Sequence, residues 1–177
     1  AYARKADAGA KLLFRQSLSA KNERVREAAA QSLAILSGVE NPSEFVFEQL
    51  DDGWDAMSEP QRLYYAVLIY DGEVNNGGHS QYFVNSSGDF YPLAIAGLKA
   101  IKAPKRARIL SEALALFGDV GPSQDNDRRH DELASFTEAQ DRILSKLDDR
   151  YYACDEDIDV LLALYALDNK EHFRRAK

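Results

Sequence analysis

Apolar positions recur along this chain at steps of three and four, and alternating strand patterns are essentially absent. Residues 3–19 read as a first helix with Leu12, Leu13, Phe14 and Leu18 as core contacts. Residues 22–37 follow, with Asn22 suited to an N-cap and Val25, Ala29, Leu33 and Leu36 on one face, and Gly38 stops the run. Asn41-Pro42 starts a third helix, with proline at its first position and an apolar stripe of Phe47, Leu50, Trp54 and Met57 interrupted at Gly53. Ser58-Glu59-Pro60-Gln61 has capping-box spacing and opens a helix through Leu63, Val67 and Tyr70.

The stretch 71–78, DGEVNNGG, is expected to break that helix. A short helix at 79–86, a turn at Ser87-Gly88 and a helix from Asp89 to about Ile101 come next. Ala103-Pro104 starts another, with Leu110, Ala113, Leu114 and Phe117 at i, i+3, i+4 and i+7. A polar loop at 118–127 leads to helices near 129–136, 137–150 and 155–168, and Asn169 is expected to cap a last turn with Phe173. The fold class is all-α: a single compact, bundle-like domain of about eight helices. The text VREAAAQSLAILSG is similar to one helical-repeat unit, but no second copy follows, so a solenoid is excluded.

Composition adds limits. The single cysteine, Cys154, excludes an internal disulfide and a multi-cysteine zinc site. No apolar run approaches the ~18 residues of a membrane span and no signal-peptide core is visible, so a reducing cytoplasm is the expected compartment. The chain begins at Ala1, so a methionine or a longer leader is expected to have preceded it. A net charge of −7 argues against direct binding of nucleic acid.

The charge is also unevenly spread. Residues 1–39 carry seven basic and three acidic side chains, whereas residues 40–98 carry ten acids and one base, Arg62. Five bases and no acid follow at 99–110, then thirteen acids and five bases at 119–159. Between Ala28 and Gln61 there is no Lys or Arg at all, although solvated surfaces usually interleave both signs. The expected organisation is a basic helical extension, 1–40, packed on an acidic all-α body, 41–177.

Familiar catalytic patterns fail. No Gly-Lys-Ser/Thr run exists to wrap phosphate, and Gly77-Gly78 lacks the spacing and the strand of a dinucleotide fingerprint. Gly78-His79-Ser80-Gln81-Tyr82 approaches a nucleophile elbow but puts Tyr82 where the second glycine belongs. Asp127-Arg128-Arg129-His130 has metal-ligand spacing, yet its two arginines oppose a cation. Cys154 sits before Asp155, and neighbouring carboxylates disfavour a reactive thiolate. His79 and His172 read as capping or packing residues. No catalytic residue, metal or cofactor is expected.

Residues 73–89 concentrate amides and glycines between two apolar helices. Asn76-Gly77-Gly78 suits a sharp turn with positive φ, and Gln81 and Asn85 lie on one helix face beside Tyr82 and Phe83. Glu73, Gln81 and Asn85 either hydrogen-bond the bare backbone of the turn or, with Asn76, line a small polar pocket; the first is the favoured reading. The pattern Glu73-x-x-Asn76-Gly77-Gly78-x-x-Gln81-Tyr82-Phe83-x-Asn85-Ser86-x-Gly88 resembles the signature of a bacterial DNA-mimic protein family, in its C-terminal domain of unknown function. The similarity extends over about residues 55–175, through 96–117, 147–152 and 161–173. It implies an all-α, often dimeric protein, one of whose relatives presents carboxylates in place of DNA phosphates and sequesters a DNA-binding regulator. It carries no catalytic residues, and its phosphate-like acids lie outside the motif.

The acids must therefore be judged here. Glu40, Glu44, Glu48, Asp51, Asp52, Asp55 and Glu59 recur at three- to four-residue steps, mostly, and on a helix such steps rise about 4.5–6 Å against about 3.4 Å per phosphate along one DNA strand. A second series is Asp148, Asp149, Asp155, Glu156, Asp157 and Asp159. Three functions stay open. The first is a non-catalytic acidic module that binds a basic protein, such as a DNA-binding regulator or nucleoid protein, as a DNA mimic. The second is an immunity- or antitoxin-like acidic partner. The third is a small-ligand binder or enzyme working from Glu73, Asn76, Gln81 and Asn85.

Overall fold

The computed structural model describes residues 2–39 and 41–174; Glu40, first of the expected acidic series, lies outside the described residues. Among the described residues there are nine α-helices and no strand, which is the all-α class the periodicity predicts. The chain divides into two units, Ala1–Tyr65 with Asp157–Lys177, and Ala66–Glu156.

The first unit holds α1 (Tyr2–Ser17), α2 (Glu23–Leu36), α3 (Pro42–Asp51), the start of α4 (Glu59–Val84) and α9 (Ile158–Asp168). Asn22 caps α2 by accepting from the Val25 N–H, and Gly38, at φ +79°, turns the chain away just after it. Small residues let α2 lie close to α9: Ala30, Val160 and Ala163 form a buried cluster with Leu18 and Leu164 against it. Asp157 caps α9 through the Val160 N–H and pairs with Arg26 at 2.8 Å. Ser58 donates from its N–H and hydroxyl to Gln61, whose amide in turn donates to the His172 carbonyl at 2.7 Å. α3 stops at Asp51, and Gly53 at φ +107° leads into a short 3₁₀ turn, Trp54–Ala56, so the predicted interruption is a full break. Asn169 does not cap the last turn. Its amide donates back to the Tyr165 carbonyl at 2.8 Å, which also accepts the Asn169 backbone N–H at 3.0 Å.

The second unit holds the rest of α4, α5 (Tyr91–Ala100), α6 (Pro104–Leu114), α7 (Asn126–Ala134) and α8 (Glu138–Tyr152). Thr137 and Gln140 form a capping box at the start of α8, and Asp125 caps α7. α6 packs against both α5 and α8. One expectation is overturned: residues 71–76 do not break α4. Only Gly77 and Gly78 leave helical geometry. The run is weakly helical by itself, but tertiary contacts hold it. Val74 is fully buried and its carbonyl accepts from the Tyr152 hydroxyl, while Asp71 accepts from Tyr151 and Arg106.

Candidate functional site

The break at Gly77-Gly78 lets α4 meet itself. Glu73, before the break, accepts 2.8 Å hydrogen bonds from the amides of Gln81 and Asn85, after it, and a 3.2 Å bond from the Ser87 hydroxyl. The amides therefore bind the Glu73 carboxylate and not the backbone of the turn, which corrects the favoured reading. A Cβ on Gly77 would collide with the Gln81 side chain. Gly78 has φ +73°, and a Cβ there would lie 2.5 Å from the Asp148 carboxylate. Glycine is favoured at Gly78 by its left-handed φ as well as by the Asp148 carboxylate, whereas at Gly77 a side chain would require Gln81 to move. Tyr82 and Phe83 are fully buried core, and Asn76 is exposed. The four-residue pocket is not assembled: Glu73, Gln81 and Asn85 are occupied with one another.

Directly after the break, Asp148 of α8 accepts from the His79 backbone N–H at 2.9 Å and from its ring Nδ1 at 2.6 Å. A carboxylate can only accept, so in the neutral ring the proton sits on Nδ1 and Nε2 accepts from the Tyr70 hydroxyl, 2.9 Å away. The order Asp148–His79–Tyr70 is that of a proton relay. Its end is closed, however: Tyr70 and His79 are fully buried, and Tyr70 meets Tyr82 and Tyr151 edge to face at 4.9 and 5.5 Å. Burial holds the Tyr70 hydroxyl far above the usual phenol range, with the neighbouring Tyr151 and Tyr82 adding to it. Such a group stays neutral and is not an activated nucleophile.

Two arginines complete the unit's polar interior; in the sequence, Arg129 reads only as a charge opposing a metal ion and Arg106 is not singled out. Arg106 lies 3.9 Å over the Tyr151 ring, bonds the Glu156 carbonyl at 3.1 Å and reaches Asp71 at 3.3 Å. Arg129 is fully buried and donates to the carbonyls of Phe83, Ser123 and Asn85 at 2.6, 2.6 and 3.0 Å, with Asp89 at 2.7 Å as its counter-charge. It ties the end of α4 to α7.

Glu44, Glu48, Asp51 and Asp52 are exposed along α3 and its end, Asp55 is exposed in the following turn, and Glu59 is exposed at the start of α4. Arg62 approaches Asp55 at 3.6 Å and otherwise bonds the Trp54 carbonyl. The second series is not one surface. Asp148 binds His79, Asp155 pairs with Lys105 at 2.5 Å, and Glu156 accepts from the backbone N–H groups of Lys105 and Arg106 at 2.9 Å each, where it caps α6. Asp157 belongs to the first unit and pairs with Arg26; Asp149 and Asp159 are exposed. Charge alone cannot reveal this, because a capping carboxylate and a solvated one read alike in sequence.

Among the described residues no group of three or more His, Cys, Asp or Glu side chains is placed to hold a metal ion, and no helix is long and apolar enough to cross a membrane. No curated protein and no solved structure matches the chain. The family model of the DMP19-like proteins matches residues 55–169, the stretch that contains the Glu73–Gly88 motif, the glycine break and the Asp148–His79 pair. On that match the chain belongs to the DMP19-like protein family.

Proposed function

We propose that this protein is a non-catalytic acidic module that binds a basic, DNA-binding protein and occupies the surface that would otherwise hold DNA. The observation that carries the reading is the exposed acidic series of α3 and the turn after it: Glu44, Glu48, Asp51, Asp52, Asp55 and Glu59, with Arg62 the single base between residues 28 and 98. Membership of a DNA-mimic family supports it. Most of the series, through Asp52, precedes the stretch the family model matches, so the proposed surface is argued from this chain's own exposed acids.

The second acidic series contributes less. Asp148, Glu156 and Asp157 serve His79, α6 and α9, so Asp149, Asp155 and Asp159 are its exposed members, and Asp155 is paired with Lys105. The closed Asp148–His79–Tyr70 chain and the self-satisfied Glu73 network support the non-catalytic reading. Each exposed charge pair is worth only about 0–1 kcal/mol, but several aligned charges steer encounter and set specificity.

The test is a competition titration with the basic partner captured from the source cell. Duplex DNA is expected to displace the protein, and binding is expected to weaken steeply with salt as the Debye length falls from about 10 Å to about 3 Å between 0.1 and 1 M. Replacing Glu44, Glu48, Asp51 and Asp55 together by their amides should weaken binding without unfolding the chain. A partner that holds DNA and this protein at once ends the mimic reading and leaves a general acidic partner of the immunity or antitoxin kind.

A further inference from the structure

The spacing of α3 puts Phe47 on an apolar stripe with Leu50, Trp54 and Met57, but the folded helix turns another face inward. Phe45 and Val46 are its buried residues, and Phe47 is left 48% exposed. The exposed positions of α3 are Glu44, Phe47, Glu48 and Asp51, so Phe47 is the one apolar side chain among acids. Glu44 lies three residues before it and Asp51 four residues after it, which sets both carboxylates beside the ring on one helix face.

Single exposed apolar side chains are ordinary on protein surfaces, and the support beneath this one is what sets it apart. Phe47 meets Tyr65 edge to face with centroids 5.7 Å apart, and Tyr65 meets Trp54 in the same way at 5.9 Å. Arg62 lies over the Trp54 ring at 5.4 Å and bonds the Trp54 carbonyl at 3.1 Å. One side of Phe47 is therefore fixed by packing within the first unit, while about half of it faces water. A ring already held in place loses little freedom when its other half is covered, and aromatic rings with a polar rim are the usual centre of an interface.

We propose that Phe47 is the apolar anchor of the α3 surface and packs on an apolar side chain that the basic partner presents among the lysines and arginines of its DNA-contacting face. Such faces carry more than cations. Their bases neutralise phosphates, while apolar side chains between them meet thymine methyls or wedge between base steps. A surface that replaced the phosphates alone would leave those apolar groups against water or charge. An acidic helix face with one ring at its centre suits both kinds of group. The acids draw the partner in through a field that salt screens, and the ring adds a contact that salt does not screen. The inference rests on the reading that the partner is a basic DNA-binding protein, and it adds which side chain holds that partner once the charges have met.

The test uses the full chain and two synthetic helical peptides of equal length and charge. One carries leucines between its lysines at helical spacing, and the other carries glutamine in place of each leucine. Binding is followed by fluorescence anisotropy over a salt series. The leucine peptide is expected to bind about tenfold more tightly than the glutamine peptide. Phe47→Ala should remove that advantage and leave the glutamine peptide and both salt slopes unchanged, whereas Phe47→Leu should keep most of it. Ile143→Ala, at a residue of the second unit that is 46% exposed, should change neither peptide. In the parent chain, nuclear Overhauser contacts are expected between the Phe47 ring and the leucine methyls, a readout that needs no variant to fold. Equal binding of the two peptides, an advantage that survives Phe47→Ala, an equal loss in Ile143→Ala, or no contact at the Phe47 ring overturns the proposal. The fourfold α3 amide variant separates the two readings. It should weaken both peptides and flatten the salt slope while the leucine advantage persists. If it changes neither peptide, the acidic reading fails; if it weakens both and Phe47→Ala weakens neither, the anchor fails and the acidic reading stands.

Discussion

Asp148 of α8 takes both the backbone and the ring N–H of His79, sixty-nine residues earlier in the chain, on a single carboxylate oxygen. That oxygen stands in for the carbonyl that helix α4 loses where Gly77 and Gly78 leave helical geometry. Removing it strands two donors at a residue that is fully buried. Asp148→Ala is expected to cost about 2–4 kcal/mol in urea denaturation, and Asp148→Asn, which keeps one acceptor, less. Equal stability of both variants with the parent would show that water satisfies those donors equally well.

The glycines of α4 should respond in opposite directions. Gly78→Ala places a side chain at φ +73° and against the Asp148 carboxylate, for an expected loss of at least about 2 kcal/mol. Gly72 lies in regular helix with nothing within 4 Å of a Cβ, so Gly72→Ala is expected to gain about 0.5–1 kcal/mol. Thermal melts of the two variants side by side decide it.

Arg129 is buried without solvent contact and bonds three carbonyls. Arg129→Leu leaves those acceptors and Asp89 unpaired, with an expected cost of about 3–5 kcal/mol. Arg129→Lys keeps the charge but not the planar fork, and should recover only part of that loss. Full recovery by lysine would mean that charge alone matters at this position.

The Glu73 network should show graded losses. Gln81 is half-buried and Asn85 is exposed, although both donate to the same carboxylate oxygen. Gln81→Ala is expected to cost about 1–2 kcal/mol and Asn85→Ala about half as much, because water replaces an exposed bond more readily. Glu73→Ala removes the common acceptor and should exceed either in the same denaturation series.

Alkaline pH should unfold the chain. Tyr64 is pushed up to about 12 by burial, against the pull of its Ser43 bond and with the charge of Asp159 adding to it. Tyr70, Tyr82 and Tyr151 are also raised by burial. Unfolded tyrosines ionise near 10.0, whereas these stay protonated in the folded chain. Above that pH the unfolded state binds fewer protons, so stability is complete below about 10 and falls as pH rises toward the folded values, by up to about 1.4 kcal/mol per unit for each tyrosine. The tyrosinate absorbance of these four residues should therefore rise together with the loss of helical circular dichroism, as a phase separate from that of more exposed tyrosines such as Tyr152.

Much of this architecture is legible in local spacing. Asn22, Gly38, Pro42, Gly53, Ser58 and Pro104 mark helix ends because capping and φ restriction act over three or four residues. The run 71–76 misled because its helicity comes from Tyr151, Tyr152 and Arg106, some eighty and thirty-five residues away. His79 read correctly as a packing residue, but its partner could not be named, since any of many acids could have reached it. The second acidic series shows the same limit in reverse. Six adjacent carboxylates look like one surface, and only the folded chain reveals that Glu156 caps α6 while Asp157 caps α9.

The break in α4 also sets how that helix breathes. An amide within an intact helix is shielded from hydrogen exchange by its own ladder, so it exchanges when the helix frays. The His79 amide is shielded by a side chain of α8 instead. Its exchange therefore reports the separation of α8 from α4 and is insensitive to unwinding from the helix ends. Under native conditions that one amide serves as a local clock for the opening of the second unit's interior.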